Sequence, residues 1–522
     1  MRKLYRIFIS RYAVSALFII AELFLISYLI VYAYSYSLVF VFFTTLVDVL
    51  VIISLINRDT NPEFKLTWLA VVTLVPIIGG ALYLIFYNRH LTKKEAGLLS
   101  KIFESIRENE KLTGDEEASI ENLGELARVC EAGAGRALSL LKDDAIANLY
   151  TGSVCTYYKS GEDLFVSMLE RLESAKKYIF LEYFIVEDGE LWEKIYKILK
   201  SKAEEGIEIR MLYDDIGSMS TVPKDFSRSL RKVGISAYPF ARVSPRVTSS
   251  HNNRDHRKIC VIDGEIAFTG GVNIADEYIN LKRRFGHWKD GGISVEGAAA
   301  RGFARLFLMM YDFTVGEVSD YSHFVKKNEY TKALSGGEFS GAVIPFGSGP
   351  KPTYPEPVGK NALMNIIEAS SRYLYITTPY LIIDYDLTEA LRNAAKRGVD
   401  VRMITPAEAD KKIIKIMTKS AYPYLLQAGV RIFEYTPGFI HEKLVVCDDA
   451  YAIVGTINFD YRSLVHHFED GAWIYGSPAI KNMRDGFLET EGKSGEIAPC
   501  DAKLGIFEKA VRSLIKIFAP LL

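Results

Sequence analysis

Two stretches of this chain repeat the same polar residues at the same spacing, and that repeat limits the folds open to it more than any other feature. The first, DHRKICVIDGEIAFTGGVN at 255–273, sets His256 and Lys258 at the head of an apolar run, followed by Asp263, Gly270 and Asn273. The second, IHEKLVVCDDAYAIVGTIN at 440–458, sets His441, Lys443, Asp448, Gly455 and Asn458 at the same intervals. The chain holds eight histidines, and these two alone head an H-x-K-x4-D pattern. One histidine in an apolar strand is ordinarily a satisfied core residue. The same placement twice asks for a shared chemical purpose.

The surroundings repeat as well. KKYIFLEYFIV at 176–186 reads as a strand, ELWEKIYKILKSKAEEG at 190–206 as a helix ending in glycine, and IEIRMLYDD at 207–215 as a second strand. SRYLYITTPYLI at 371–382, DLTEALRNAAKRG at 386–398 and VDVRMITP at 399–406 repeat that order. Strand, helix, strand is the unit of a mixed α/β sheet. One domain-sized unit is therefore present twice, over 149–335 and 336–522, and the Gly/Pro-rich segment 336–357 carries the boundary.

Strand geometry turns the motif into chemistry. Residues i and i+2 share a face, so each histidine projects with its lysine, and the Gly-x-x-Asn strand end brings an amide beside them. Two copies related by pseudo-symmetry would set His256 and His441 across one cleft, with Lys258 and Lys443 around a small volume. That set suits a phosphodiester. One histidine attacks phosphorus and the other protonates the leaving oxygen. The lysines, with Asn273 and Asn458, hold the non-bridging oxygens. No metal or cofactor is called for. Asp263 and Asp448 stand at an odd offset from the lysines and so face away, as supports of the fold. FGHWKDGGISVEG at 285–297 matches VHHFEDGAWIYG at 465–476 once a short insertion is allowed, which pairs Asp290 with Glu469. A carboxylate on the far ring nitrogen would fix a histidine's tautomer. Glu469 is expected to tune His441 in this way. His287, His466 and His467 read as surface or supporting groups, and Arg254 and Arg257 as cations that help keep His256 neutral.

The N-terminal ninety residues read differently. Apolar runs at about 12–34, 38–56 and 66–87 contain one charge, one charge and none. Each is about long enough to cross a bilayer core of roughly 30 Å, so 1–90 reads as a multi-pass membrane anchor. Basic residues flank both ends, and three crossings cannot place both flanks in the cytoplasm. Residues 91–148 are charged and helix-favouring and read as a helical connector with solvated faces. A net charge of -1 gives nucleic acid no support as a partner. The five cysteines include no C-x-x-C pair and point to neither zinc nor a disulfide framework.

The paired motifs resemble the phospholipase D superfamily, and within it the bacterial cardiolipin synthases. NRDTNPEFKLTWLAVVTLVPIIGGALYLIF (57–86), LEYFIVEDGELW (181–192), TPYLIID (378–384) and the two motif blocks carry the resemblance. It implies an α/β chain with N-terminal transmembrane helices and two pseudo-symmetric phospholipase D-like units sharing one active site. It implies a catalytic set of His256, Lys258, Asp263, His441, Lys443 and Asp448, placed in a bacterial cell membrane. The activity it implies is transfer of a phosphatidyl group from one phosphatidylglycerol to another through a phosphohistidine, with release of glycerol. The first-copy histidine, His256, is then the nucleophile and His441 the proton carrier. Gly271 stands where many members have serine, and Thr456 takes the matching place in the second copy as a phosphate contact. A phosphodiesterase that hydrolyses or exchanges the head groups of another phospholipid is the alternative. Oligomeric state is not legible.

Overall fold

The computed structural model describes residues 24–25, 27–29, 31–32, 38–58, 61–75, 78–86, 91–144, 146–242, 252–326, 341–408 and 410–500. They divide into a helical unit drawn mainly from the first ninety residues and an α/β unit over Leu91–Phe240 and Arg254–Glu508.

The helical unit contains α1 (Leu38–Asn57), α2 (Pro62–Leu74) and α3 (Ile78–Phe86). Most of the apolar run at 12–34 lies outside the described residues. The run at 66–87, expected as one span, is instead divided between α2 and α3. Pro76 follows Val75, and a proline offers no N–H to continue a helix. Gly79 then lets α3 fold against α2, since a Cβ there would meet the Val71 carbonyl oxygen at 2.4 Å. Val51, Leu55, Trp68, Val72 and Tyr83 form a small core. Phe42, Phe43, Val47, Leu50 and Ile53 on α1 face outward and exposed. Among the described residues no helix is long and apolar enough to cross a membrane. Helix α1 has twenty residues, with Asp48 at its middle.

The α/β unit carries two sheets of one design. The first copy supplies β1 (Val154–Tyr158), β2 (Tyr178–Tyr183), β3 (Glu208–Asp214), β4 (Ile235–Phe240), β5 (Lys258–Ile262), β6 (Ile266–Gly270) and β7 (Gly292–Glu296). The second supplies β8 (Ala342–Ser348), β9 (Tyr373–Thr377), β10 (Asp400–Pro406), β11 (Arg431–Tyr435), β12 (Leu444–Cys447), β13 (Tyr451–Gly455) and β14 (Glu469–Tyr475). The first sheet runs β1-β7-β6-β5-β2-β3-β4, and the second repeats it as β8-β14-β13-β12-β9-β10-β11. In each, the strands flanking the crossover helices are parallel and the motif strands antiparallel. Tyr150–Thr151 and Ser494–Glu496 extend the second sheet at its edges.

Burial on both faces explains why β2 reads as an almost unbroken apolar run. Ile179, Leu181 and Tyr183 pack under helices Gly161–Glu173 and Glu190–Glu204. Leu164, Phe165, Met168 and Leu172 form the buried stripe of the first helix, at the spacing of a one-sided helix. Its start is fixed by Ser160, whose hydroxyl accepts the Asp163 N–H at 3.0 Å. On the opposite face Phe180 stacks on Phe307, centroids 4.5 Å apart. Phe307 belongs to helix Ala300–Val315, which is buried through Asp312 and also packs on β8.

Residues 91–148 form three helices that pack into this unit, and their charges are not all solvated as the sequence suggested. Asp115 is buried and paired with Arg301 and with Arg305, whose Nη2 lies 2.7 Å away. Removing one partner from a buried ion cluster strands the others. A chain starting at Leu91 is expected to fold by itself. In it Asp115→Ala should lower the urea unfolding free energy by about 3–5 kcal/mol. A loss within about 0.5 kcal/mol would show the cluster is solvated.

Candidate active site

The two copies meet where their motif strands begin. Asp255 bridges to Phe468, and His287–Lys289 pairs in parallel with Gly438–Ile440. The His256 N–H donates to the Phe468 carbonyl at 2.8 Å, and the His441 N–H to the Lys289 carbonyl at 2.7 Å. Each histidine backbone is thus held by the other copy.

The side chains follow the same rule. His256 Nδ1 lies 2.9 Å from Glu469 Oε2. His441 Nδ1 lies 2.7 Å from Asp290 Oδ2. Asp290 and Glu469 do sit at matching places, but Glu469 serves His256 and not His441 as expected. With Nδ1 engaged, each ring has Nε2 left for chemistry. Lys258 Nζ donates to the His256 carbonyl at 2.7 Å. Lys443 Nζ donates to the His441 carbonyl and lies 2.8 Å from His441 Nδ1. The carboxylate of Asp290 assigns that Nδ1 a proton, so the lysine bond that counts is the one to the carbonyl.

Both histidines and both lysines are more than nine-tenths buried, and burial dominates their acidity. It holds His256 well below the ordinary range, helped by Lys258, Lys443 and His441. It brings His441 down to about 4, with Lys443 adding to the effect and Asp290 opposing it. Lys258 falls to about 8 and Lys443 to about 7. The carboxylates diverge. Burial raises Glu469 to about 7. Asp290 is just as buried, yet His441, Lys443 and the Gly291 N–H outweigh desolvation and hold it below the usual carboxylate value.

Other sequence expectations are relocated by the structure. Asp263 and Asp448 are away from the histidines, at the tight turns after β5 and β12, with φ 57° and 58°. Asp263 accepts the N–H groups of Lys176, Lys177 and Tyr178 at 2.7–2.9 Å. Asp448 does the same for Ser371, Arg372 and Tyr373. They tie each motif hairpin to the start of the central strand. Asn273 is also committed to the fold. Its Oδ1 accepts from Ile185 N at 3.0 Å and its Nδ2 donates to Tyr278 Oη at 2.7 Å. Thr456 is fully buried and donates to Glu469, so it positions a carboxylate and does not face a phosphate. Asn458 Oδ1 alone among these is buried without a hydrogen-bond partner in the described residues. Gly271 leaves room for Asp290, whose Oδ1 a Cβ there would meet at 2.1 Å. Arg254 is taken by Asp214, and Arg257 by Tyr354 and the carbonyls of Glu469 and Leu306. Neither is what keeps His256 neutral.

His467 was undervalued by the sequence reading. It is buried, with its ring centroid 5.6 Å from that of His256. A π-turn over Arg462–His466 delivers it there, a local irregularity common at functional sites. Trp288, two residues before Asp290, packs in the same way 5.5 Å from His441. The signal was available in the H-x-E spacing of 467–469. His287 is exposed and bonds Tyr435 Oη at 3.0 Å.

Residues 168–284 and 363–490 match the family described as "Cardiolipin synthase, PLD-like domain". Residues 46–86 match "Phospholipase D-nuclease N-terminal". An uncharacterized protein of Streptococcus mutans is 36% identical over 90% of this chain and 99% of its own length. A cardiolipin synthase of Halalkalibacterium halodurans is 34% identical over 85% of each chain. The crystal structure of phosphatidylserine synthase from Haemophilus influenzae Rd KW20 shares the fold. Its TM-score is 0.53 at 15% identity, over 70% of this chain and 93% of that one. With both copies matched and this identity sustained across the length of its relatives, the chain belongs to the phospholipase D-like cardiolipin synthase family.

Proposed function

We propose that the chain is a cardiolipin synthase acting on phosphatidylglycerol. The observation that carries the reading is the pair of buried His–carboxylate couples formed across the seam, each with Nδ1 on the carboxylate and a lysine beside it. His256 Nε2 attacks phosphorus of one phosphatidylglycerol, and the bond from phosphorus to the glycerol oxygen breaks. His441 Nε2–H protonates that oxygen as glycerol leaves. The terminal hydroxyl of a second phosphatidylglycerol then attacks the phosphohistidine, His441 takes its proton, and the N–P bond breaks to give cardiolipin. Lys258, Lys443 and Asn458 are the groups for the non-bridging oxygens. Giving the proton to His441 rests on its ionised partner Asp290, which favours an imidazolium more than Glu469 does. An anionic phosphodiester in the cleft raises both histidines, and His441 starts less depressed. The helical unit, with its outward apolar side chains, serves to hold the chain at the membrane.

His256→Ala and His441→Ala should each reduce cardiolipin formation by about a thousandfold or more. Lys258→Ala and Lys443→Ala should cost about a hundredfold. Asp263→Ala should act on stability, by about 1–3 kcal/mol, because it leaves strand-end N–H groups unpaired. Brief reaction with labelled phosphatidylglycerol, a quench and digestion should leave acid-labile label on the peptide holding His256. Label only on the His441 peptide would reverse the two roles, and phosphatidic acid as the main product would mark a hydrolase.

The lysines set a pH limit. Their charge is needed, and it is lost as pH rises through about 7 for Lys443 and about 8 for Lys258. In a pH profile measured in detergent micelles, kcat/KM should fall at least tenfold between about pH 8 and 9. A profile flat to pH 9 would mean that neither ammonium bears on the reaction.

A further inference from the structure

We propose that His256, His467 and Glu469 form a site for a borderline divalent transition-metal ion, Zn2+ by its ligand chemistry, and that its occupancy blocks His256. The blocking half rests on the function proposed above; the binding half does not.

The three residues offer two imidazole nitrogens and a carboxylate oxygen, all within 4.8 Å of one another and all buried. Two imidazoles and a carboxylate, with a position left open, is a donor set that zinc favours. His467 is the independent observation. It is buried, yet neither Nδ1 nor Nε2 has a hydrogen-bond partner among the described residues, and Glu469 Oε1 has none either. Buried polar atoms are rarely left so. The two face one another, with His467 Nδ1 3.8 Å from Glu469 Oε1. That gap is too long for a hydrogen bond, but a zinc ion spans it with bonds of about 2.0–2.2 Å to each side. Residues 467 and 469 are i and i+2 on an extended segment, so both can reach one point. Phe468 between them turns away, onto Phe240.

Charge around the point is mixed. Lys258 and Lys443 beside His256, and Arg254 and Arg462 near His467, oppose a cation. Glu469, Asp460 and Asp290 favour it, and all three are buried close to the lysines. The matching place in the other half holds Trp288 in the position of His467, so only one such site exists among the described residues. Metal on His256 Nδ1 displaces the proton now shared with Glu469. That proton is the neutral ring's only one and it moves to Nε2, which leaves no lone pair there to attack phosphorus. No co-reactant is needed, and a chelator reverses the change.

The test uses the full chain in detergent micelles, stripped of metal by a chelator. Titration with ZnCl2 against a chromophoric chelator should give one ion per chain. X-ray absorption should show two imidazoles and a carboxylate oxygen, and Co2+ in place of zinc should give the visible absorption of a four-coordinate site. His467→Gln should weaken zinc binding at least tenfold, while His466→Gln leaves it unchanged. Cardiolipin formation by the wild-type chain should fall in step with zinc occupancy and return with EDTA. Absence of one-to-one binding, a different ligand set in the wild-type spectra, or wild-type affinity in His467→Gln would overturn the site. Full turnover at full occupancy would overturn the blocking. A metal-free chain that makes no cardiolipin but still binds one zinc through these ligands would count against the proposed function and leave the site standing.

Discussion

Each copy completes the other's histidine. The backbone N–H of His256 is held by Phe468 and its ring by Glu469, while His441 is held by Lys289 and Asp290. A carboxylate hydrogen-bonded to the far nitrogen fixes tautomer and direction together. Neither copy contains this arrangement within itself. The two sheets must therefore be locked in one relative position before any histidine is correctly aimed, and the rest of the α/β unit can be understood as what locks them. Helix Ala300–Val315 packs on strands of both sheets. Lys258 N and the Thr269 hydroxyl of the first copy both donate to Asp470 of the second, at 3.1 and 2.6 Å.

Such a seam puts charge where water does not reach, and the residue between histidine and lysine shows how the cost is met. That position faces away from the cleft, into the seam. In the first copy it is Arg257, fully buried and surrounded by Glu182, Asp255 and Asp470. In the second it is Glu442, which takes the Tyr157 hydroxyl at 2.6 Å and Lys289 at 3.0 Å. The signs are opposite, and each is matched by its own surroundings. A buried charge is tolerable only when paired and hydrogen-bonded, so each pairing specifies one docking of the copies and penalises others. Burial that would be a liability elsewhere also sets the chemistry. It strips the histidines of their protons and brings the lysines near neutrality.

The duplication made much of this visible in the sequence. Period-two placement of His and Lys and the strand-helix-strand order around them were enough for two like units and a convergent set of side chains. The odd offset of Asp263 and Asp448 was enough to turn them away from it. What stayed hidden was everything decided across the seam. Aligning the copies paired Asp290 with Glu469 by position, but position within a copy carries no information about which histidine lies opposite, and the assignment to His441 came out exchanged. Asn273 and Thr456 have side chains that fit a phosphate equally well on paper. Only the closeness of Ile185 and Tyr278 in one case and Glu469 in the other shows them already engaged. The third apolar run read as one span because a proline inside a membrane helix is tolerated, and the break between α2 and α3 was not legible from it.

Symmetry of fold has been kept while symmetry of chemistry has not. Thr456 and Glu469 on one side answer to Gly271 and Asp290 on the other, a longer carboxylate with a hydroxyl beside it against a shorter one packed directly on a glycine. Asp290 is held ionised by His441 and Lys443, with the Gly291 N–H at 2.9 Å adding to them. Glu469 is raised to about 7 by the same degree of burial, which Lys258 and the Thr456 hydroxyl offset only in part. His467 and Trp288 extend the difference, a titratable ring against an indole, each tilted against its histidine. Two-step transfer needs one group that bonds to phosphorus and one that trades a proton twice, and these tasks ask for different neighbours. A duplicated scaffold supplies the convergence of two histidines for nothing beyond the repeat itself. The substitutions at three matched places around the rings then give each a distinct acidity, and the division of labour follows from that difference.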